Sequence, residues 1–264
     1  MSNINGSLLV LLSGASPSGG ALVQSLYSSA QLTDPLLALR LAEQNKIRDV
    51  ASTGKQSDVK RDIDRFKLAI SKAKTPADLF RDPSFVKVLL TANGLGDQVA
   101  YTGLVTRALL GDAKDAAALV NRLPNPHWKT LNQLFDFANK GLSLISNAKV
   151  QATLADGYAE VQWRQNLDQT TPGLSDALSF RAQAGGVTSA VQILGDAMLR
   201  RVVTTTLNIP QEIAFQPLET QERAISTRLD VAKLKDPKFI DSFSQRYLLA
   251  VRTANAQSGN GLLV

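Results

Sequence analysis

The residues of this chain that could do chemistry are few and scattered. His127 is the single histidine, and there is no cysteine in 264 residues. That removes thiolate nucleophiles, iron–sulfur clusters, disulfides and zinc fingers, and it leaves no histidine pair for a transition metal. No cofactor is expected. Gly94-Leu95-Gly96 lacks the preceding strand and the third glycine of a dinucleotide loop, and SGASPSGG at Ser13–Gly20 lacks the lysine of a phosphate-binding loop. Asp62 and Asp64 stand two apart on a charged helix, a spacing that does not bring side chains face to face, so paired acid–base work is not expected of them. His127 follows Asn125-Pro126 at a helix start and reads as the neighbour of a cap rather than a base. Arg200 and Arg201, beside an apolar stripe, could grip a carboxylate of a partner, against the plainer reading of two solvated arginines. Trp163, between Gln162 and Arg164, could anchor a partner, since interfaces favour Trp and Arg; the plainer reading is buried packing.

The elements that must position these groups read as helices throughout. DPSF at Asp82–Phe85 recurs as NPHW at Asn125–Trp128 and as DPKF at Asp236–Phe239. Asp or Asn accepts a hydrogen bond from the free first-turn amides, and Pro suits the first helical position. An apolar residue lies two before each cap (Phe80, Leu123, Leu234) and an aromatic three after it, a staple that fixes how the chain enters the helix. TDPLL at Thr33–Leu37 is a weaker copy. A fifth, without proline, appears when Ile193–Ile209 is laid on Leu79–Leu95 without a gap, which puts Asp196 on Asp82 and Leu199 on Phe85. The next cap follows at similar distances, 43 residues from Asp82 to Asn125 and 40 from Asp196 to Asp236. The expectation is an internal duplication of a helical unit.

In Lys55–Lys74 the apolar positions Val59, Ile63, Phe66, Ile70 and Ala73 step by four and three, a narrow seam on a charged helix. Val150, Leu154, Tyr158 and Val161 form a second stripe, and Phe239, Phe243, Tyr247 and Val251 a third. Asp97 and Asp112 are placed to cap helices running to Leu110 and Leu123. The one β-prone patch is Val-Val-Thr-Thr-Thr at 202–206. The fold class that follows is all-α, a multi-helical compact bundle with an internal duplication. Residues 1–30 read as a flexible leader with a short apolar docking segment at Leu8–Leu12, 31–257 as the helical domain with duplicated halves 31–140 and 150–257, and 258–264 as a tail.

Composition narrows the partners. Apolar residues are 44%, charged residues 20% and aromatics 6%, with net charge +6 and a pI of about 9.6. The basic residues are dispersed among acids, as in KQSDVKRDIDRFK at Lys55–Lys67, and no aromatics interleave with them, so no nucleic acid is expected as a partner. No transmembrane segment is expected, because the Leu8–Leu12 run is too short to span a bilayer. No secretory signal peptide is recognised, since no Lys or Arg precedes Arg40. Protein partners remain, with contacts expected at Val59, Ile63, Phe66, Ile70, Trp163, Arg200 and Arg201.

Four phrases in order, DPSFVKVLLTANGLGD, TRALLGDAKDAAALVNRLPNPHWKTLNQLFDF, ILGDAMLRRVVTTTLNIP and LDVAKLKDPKFIDSFSQRYLL, resemble the bacterial family known as domain of unknown function 1217, from about Asp34 to Leu249. The resemblance implies an all-helical domain, most often alphaproteobacterial. It also implies an association with flagella, because members are often encoded among flagellar genes and some bear the name of basal-body rod proteins. Met1–Gly20 lacks the Asn-rich opening motif of rod and hook proteins, which points to an accessory or assembly role. The family supplies no catalytic residues. The expected function is therefore a non-enzymatic interaction or structural protein of flagellar assembly, in the cytoplasm or at the basal body, with flagellar basal-body components as partners. The alternative is an enzyme of unrecognised type with a carboxylate/arginine site in a helical cleft.

Overall fold

Each repeated phrase caps a helix. In the computed structural model, which describes residues 34–260, Asp82 Oδ1 accepts the amides of Ser84 and Phe85 at 2.8 and 3.1 Å. Asn125 accepts from His127 at 2.9 Å, Asp236 from Lys238 at 2.9 Å, Asp34 from Leu36 at 2.9 Å and the proline-free Asp196 from Leu199 at 2.8 Å. These are the orphan first-turn donors that a helix start must satisfy. The leader with Leu8–Leu12, and 261–264 of the tail, lie outside the described residues.

The described residues hold no strand and no helix long and apolar enough to cross a membrane. Among the described residues thirteen α-helices, α1 to α13, follow in chain order, with short 3-10 turns between some of them. Two long helices, α1 (Pro35–Thr53) and α8 (Ala148–Asp168), each open a series of similar elements. After α1 come α2 (Ser57–Lys72), α3 (Pro76–Arg81), α4 (Pro83–Ala92), α5 (Thr102–Leu110), α6 (Pro126–Phe135) and α7 (Phe137–Lys140). After α8 come α9 (Leu174–Gln183), α10 (Ala190–Gly195), α11 (Ala197–Thr206), α12 (Leu218–Ser226) and α13 (Pro237–Asn260). The lengths repeat: α3 and α10 have 6 residues, α4 and α11 have 10, α5 and α12 have 9. So do the caps, for Thr75 and Ser189 cap α3 and α10 seven residues before Asp82 and Asp196 respectively.

The two apolar cores do not divide as the chain does. The first gathers Val59, Phe66, Phe85, Leu89 and Trp128 and is closed by Leu154 and Tyr158 of α8; the second gathers Leu174, Phe180, Val203, Phe243 and Leu248 and is entered by Ala38, Leu39 and Ala42 of α1. The long helices are thus exchanged: α1 packs on α8, α9 and α13, while α8 packs on α4, α1, α9 and α2. A cut between 140 and 150 would strip each core of a wall, so the chain segments 31–140 and 150–257 are not separable bodies.

Two expected caps and the start of the tail differ from what forms. Asp97 sits in a 3-10 turn (Gly96–Gln98) and α5 begins only at Thr102, without a side-chain cap. Asp112 starts no helix to Leu123. Asp112 and Asp115 each accept the amide two residues on, at 2.9 Å, and these local turns compete with helix until the short 3-10 turn at Leu119–Asn121. The β-prone 202–206 patch lies in α11, where Val202 and Val203 are buried and Thr204 and Thr206 donate back to the carbonyls of Arg200 and Val202. At its far end α13 reaches Asn260, three residues into the stretch read as tail.

The halves meet at two of the repeated caps. Asn125 Nδ2 donates to Asp196 Oδ2 at 3.3 Å, both residues buried, and Pro124 presses on Gly195, where an added Cβ would lie 2.9 Å from the proline Cβ. Only glycine allows that approach. Gly195→Ala is expected to destabilise the protein by about 1–3 kcal/mol, the usual cost of overpacking, read as a lowered midpoint in urea unfolding with an unchanged slope.

Candidate functional site

Most of the residues expected to meet a partner meet this chain instead. Val59, Phe66 and Ile70 lie in the first core, where the Phe66 ring stacks on Phe85 with centroids 5.7 Å apart. Trp163 is 4% exposed and belongs to the second core. The seam is narrow because α4 and α8 cover it, so these four residues are not partner contacts. Arg200 is exposed. Arg201 does grip a carboxylate, but an internal one, Asp176 of α9. His127 Nε2 stands 3.1 Å from Gln183 Oε1, on a polar cleft of about 430 Å³ between the halves that Arg164 and Arg201 also line.

Arg201 belongs to a three-residue cluster, and that cluster occurs twice. In the second unit Arg201 Nε and Nη2 reach the two oxygens of Asp176 at 2.5 and 2.7 Å, and the Tyr247 hydroxyl of α13 donates to the same carboxylate at 2.8 Å. In the first unit Lys87 of α4 and the Tyr158 hydroxyl of α8 both reach Asp62 Oδ2, each at 2.6 Å. One register links them: 114 residues separate Asp82 from Asp196, Asp62 from Asp176, Lys87 from Arg201 and Phe66 from Phe180. Extending the gap-free repeat backward and forward from its caps would have found the acid and the cation. The tyrosines escape that register, because they come from the helix that closes each core, where each stands eleven residues after its cap, Asn147 or Asp236.

The electrostatics show what the clusters can do. Burial pushes the Asp62 carboxyl up, but hydrogen bonds from Lys87 and Tyr158 outweigh it and the net shift is downward. The Asp62 hydrogen bond raises Lys87. Burial, reinforced by Asp62, pushes the Tyr158 hydroxyl up to about 12. In the second unit the hydrogen bonds to Asp176 raise Arg201, and burial followed by the Asp176 charge raises Tyr247. The bases stay charged and the tyrosines stay protonated donors far above neutrality. Such a cluster ties three helices together through charged and hydroxyl donors on one carboxylate.

An open site lies elsewhere, where α1, α2 and α8 diverge. Their groove has a volume of about 880 Å³ and is floored by Val50, Ala51, Ile63, Ala155 and Ala159. Ile47, 89% exposed, stands at its mouth. Lys46, Lys55, Lys60 and Lys67 rim it with Asp64, Asp156 and Glu160. Lys46 pairs with Glu160 and Lys60 with Asp64, both at 2.7 Å. Ile63, alone of the apolar residues expected to bind, opens on this groove.

A sequence model for the family described as a protein of unknown function, DUF1217, matches residues 92–240, more than half of the chain. The chain belongs to DUF1217. The matched segment runs from the end of α4 into the first turn of α13, so it contains Asp176, Arg201 and Tyr158 and leaves out Asp62, Lys87 and Tyr247. The X-ray structure of protein AGR_C_984 from Agrobacterium tumefaciens is similar in fold to this DUF1217 chain, with a TM-score of 0.69 and 23% identity over 83% of this chain and 93% of that one. No curated protein matches the sequence.

One further carboxylate, beside the second cluster, titrates near neutrality. Asp168, at the C-terminal end of α8, accepts the Ser175 amide at 2.8 Å. Burial first, and the neighbouring Asp176 charge after it, push its carboxyl up from 3.8 to about 6 despite that hydrogen bond. A raised folded-state value means that the protonated form fits the fold, so its contribution is fully present below pH 3.8 and is lost as pH rises through about 6. Asp168→Asn keeps the acceptor oxygen and removes the charge. The variant is expected to be more stable than the native chain at pH 7, with a difference that shrinks toward pH 4, measured by urea unfolding at both values.

Proposed function

We propose that this DUF1217 protein is a non-enzymatic interaction protein whose α1–α2–α8 groove holds a helix of a protein partner, and that the partner belongs to flagellar assembly. The groove carries the first part of the reading. An apolar floor under a large exposed isoleucine, bordered by charges of both signs, is the surface that takes the apolar face of an amphipathic helix. The paired clusters favour a holding role over a chemical one, since every cluster carboxylate is already engaged by a cation and a tyrosine. The flagellar part rests on the family resemblance alone.

Deleting the gene is expected to abolish swimming and reduce the number of flagella counted by electron microscopy, with both restored by the native gene. A gene carrying Ile47→Glu and Ala51→Arg, exposed positions one turn apart at the groove, is expected not to restore them although its product folds with a native melting temperature. Normal filaments in the deletion strain would remove flagellar assembly from the reading. Full restoration by the double variant would remove the groove.

A further inference from the structure

Among the described residues the groove exists twice, and one copy is open there. A step of 113 residues relates the caps Asp34 and Asn147 of α1 and α8. It carries Ile47 to Glu160, Val50 to Trp163 and Ala51 to Arg164. The 114-residue step carries Asp64 of α2 to Leu178 of α9 and Lys67 to Arg181. The closing helix is α8 in the first unit and α13 in the second. Glu160, Trp163, Arg164, Leu178 and Arg181 do line a common space in the second unit, but its volume is only about 220 Å³ against about 880 Å³ for the open groove.

What fills it is the first half of α1. That helix packs against α8, α9 and α13, the counterparts of the three groove walls. Ala38, Leu39 and Ala42 face the second core, and Glu43, one position on, forms an ion pair with Arg181. Arg181 in turn reaches Asp241 and Ser244 of α13. In the open groove the counterpart of Arg181 is Lys67, exposed and in no ion pair among the described residues.

We infer that the groove receives from its protein partner a helix of the same kind: an Ala-Leu-x-x-Ala apolar strip with a carboxylate immediately after it, directed at Lys67. The inference rests on the reading of the groove as a helix-binding surface and specifies what that helix must carry. Small residues let the helix settle close to the wide, shallow Ala51–Ala155–Ala159 floor. The carboxylate sets register and direction more than affinity, since a rim ion pair contributes little energy.

The molecule supplies the probe. An acetylated, amidated and fluorescently labelled peptide of residues 34–46 is titrated with the full chain, and anisotropy is followed. Saturable binding is expected, lost with Ile47→Glu and Ala51→Arg together, and weakened about two- to five-fold by Lys67→Glu. A peptide carrying Glu43→Lys should reverse the preference and bind the Lys67→Glu protein more tightly than the native one. That reversal separates the groove from the occupied site in the second unit, where Arg181 is untouched. Absence of saturable binding, or a preference that fails to reverse, overturns the inference. If it is overturned while the groove variant still fails to restore swimming, the groove reading stands and only the stated chemistry of its occupant falls.

Discussion

A carboxylate held between three helices is the constraint on which each half of this protein depends. Asp62 and Asp176 lie half-buried beside the helix that closes their core, and a carboxylate drawn out of water is stabilised when donors surround it. Each takes one cation from the ten-residue helix and one phenol hydroxyl from the closing helix. The direction of those bonds fixes the closing helix along its axis as well as its rotation, which apolar contact alone does not do. The swap of Lys87 for Arg201 changes the detail, since the planar guanidinium engages both oxygens where the ammonium engages one. The closing helix is seated in both cases.

Around these pins the duplication is reused rather than merely repeated. The same wall of long helix, second helix and closing helix is built twice. In the second unit the wall is completed from within the chain by α1; in the first the described residues leave it incomplete. Exchange of α1 and α8 between the cores therefore does two things: it binds the units into one body and it produces an asymmetry from a symmetric plan. The caps Asn125 and Asp196, hydrogen-bonded to each other where Pro124 meets Gly195, mark the seam of that arrangement.

Much of the fold was legible because its signals are local. A cap, a proline and an apolar residue on either side lie within six residues, and Asp34, Asp82, Asn125, Asp196 and Asp236 all begin helices. The stripes at Val59–Ile70 and Phe239–Val251 show equally well which faces are buried, but a stripe does not say by what. Phe66 and Trp163 were open to a partner reading for that reason, and their covering residues lie on helices distant in sequence. The clusters stayed hidden for a related cause. Tyr158 and Asp62 are 96 positions apart and Tyr247 and Asp176 are 71, and the tyrosines lie outside the 114-residue register that relates the acids and the cations. The turns at Asp112 and Asp115 were missed because an aspartate that can cap a helix can equally close an Asx turn. The groove was least legible of all, since it is defined by what is absent beside α2.

The exchanged position of α1 also bears on how the chain is made. α1 leaves the ribosome early, yet its seat is built from α8, α9 and α13, the last of which ends the described chain. At ordinary rates of synthesis the strip Ala38–Ala42 waits about 10–40 s for that seat. During that interval it is bare apolar surface, and the first core, which needs only α8, can already close and present its open groove beside it. A nascent chain thus carries the bare Ala38–Ala42 strip next to a groove built on the same plan as the seat that strip awaits. Correct folding requires that α1 keep this strip free until α9 and α13 have been made, so the order of synthesis runs against the order of packing.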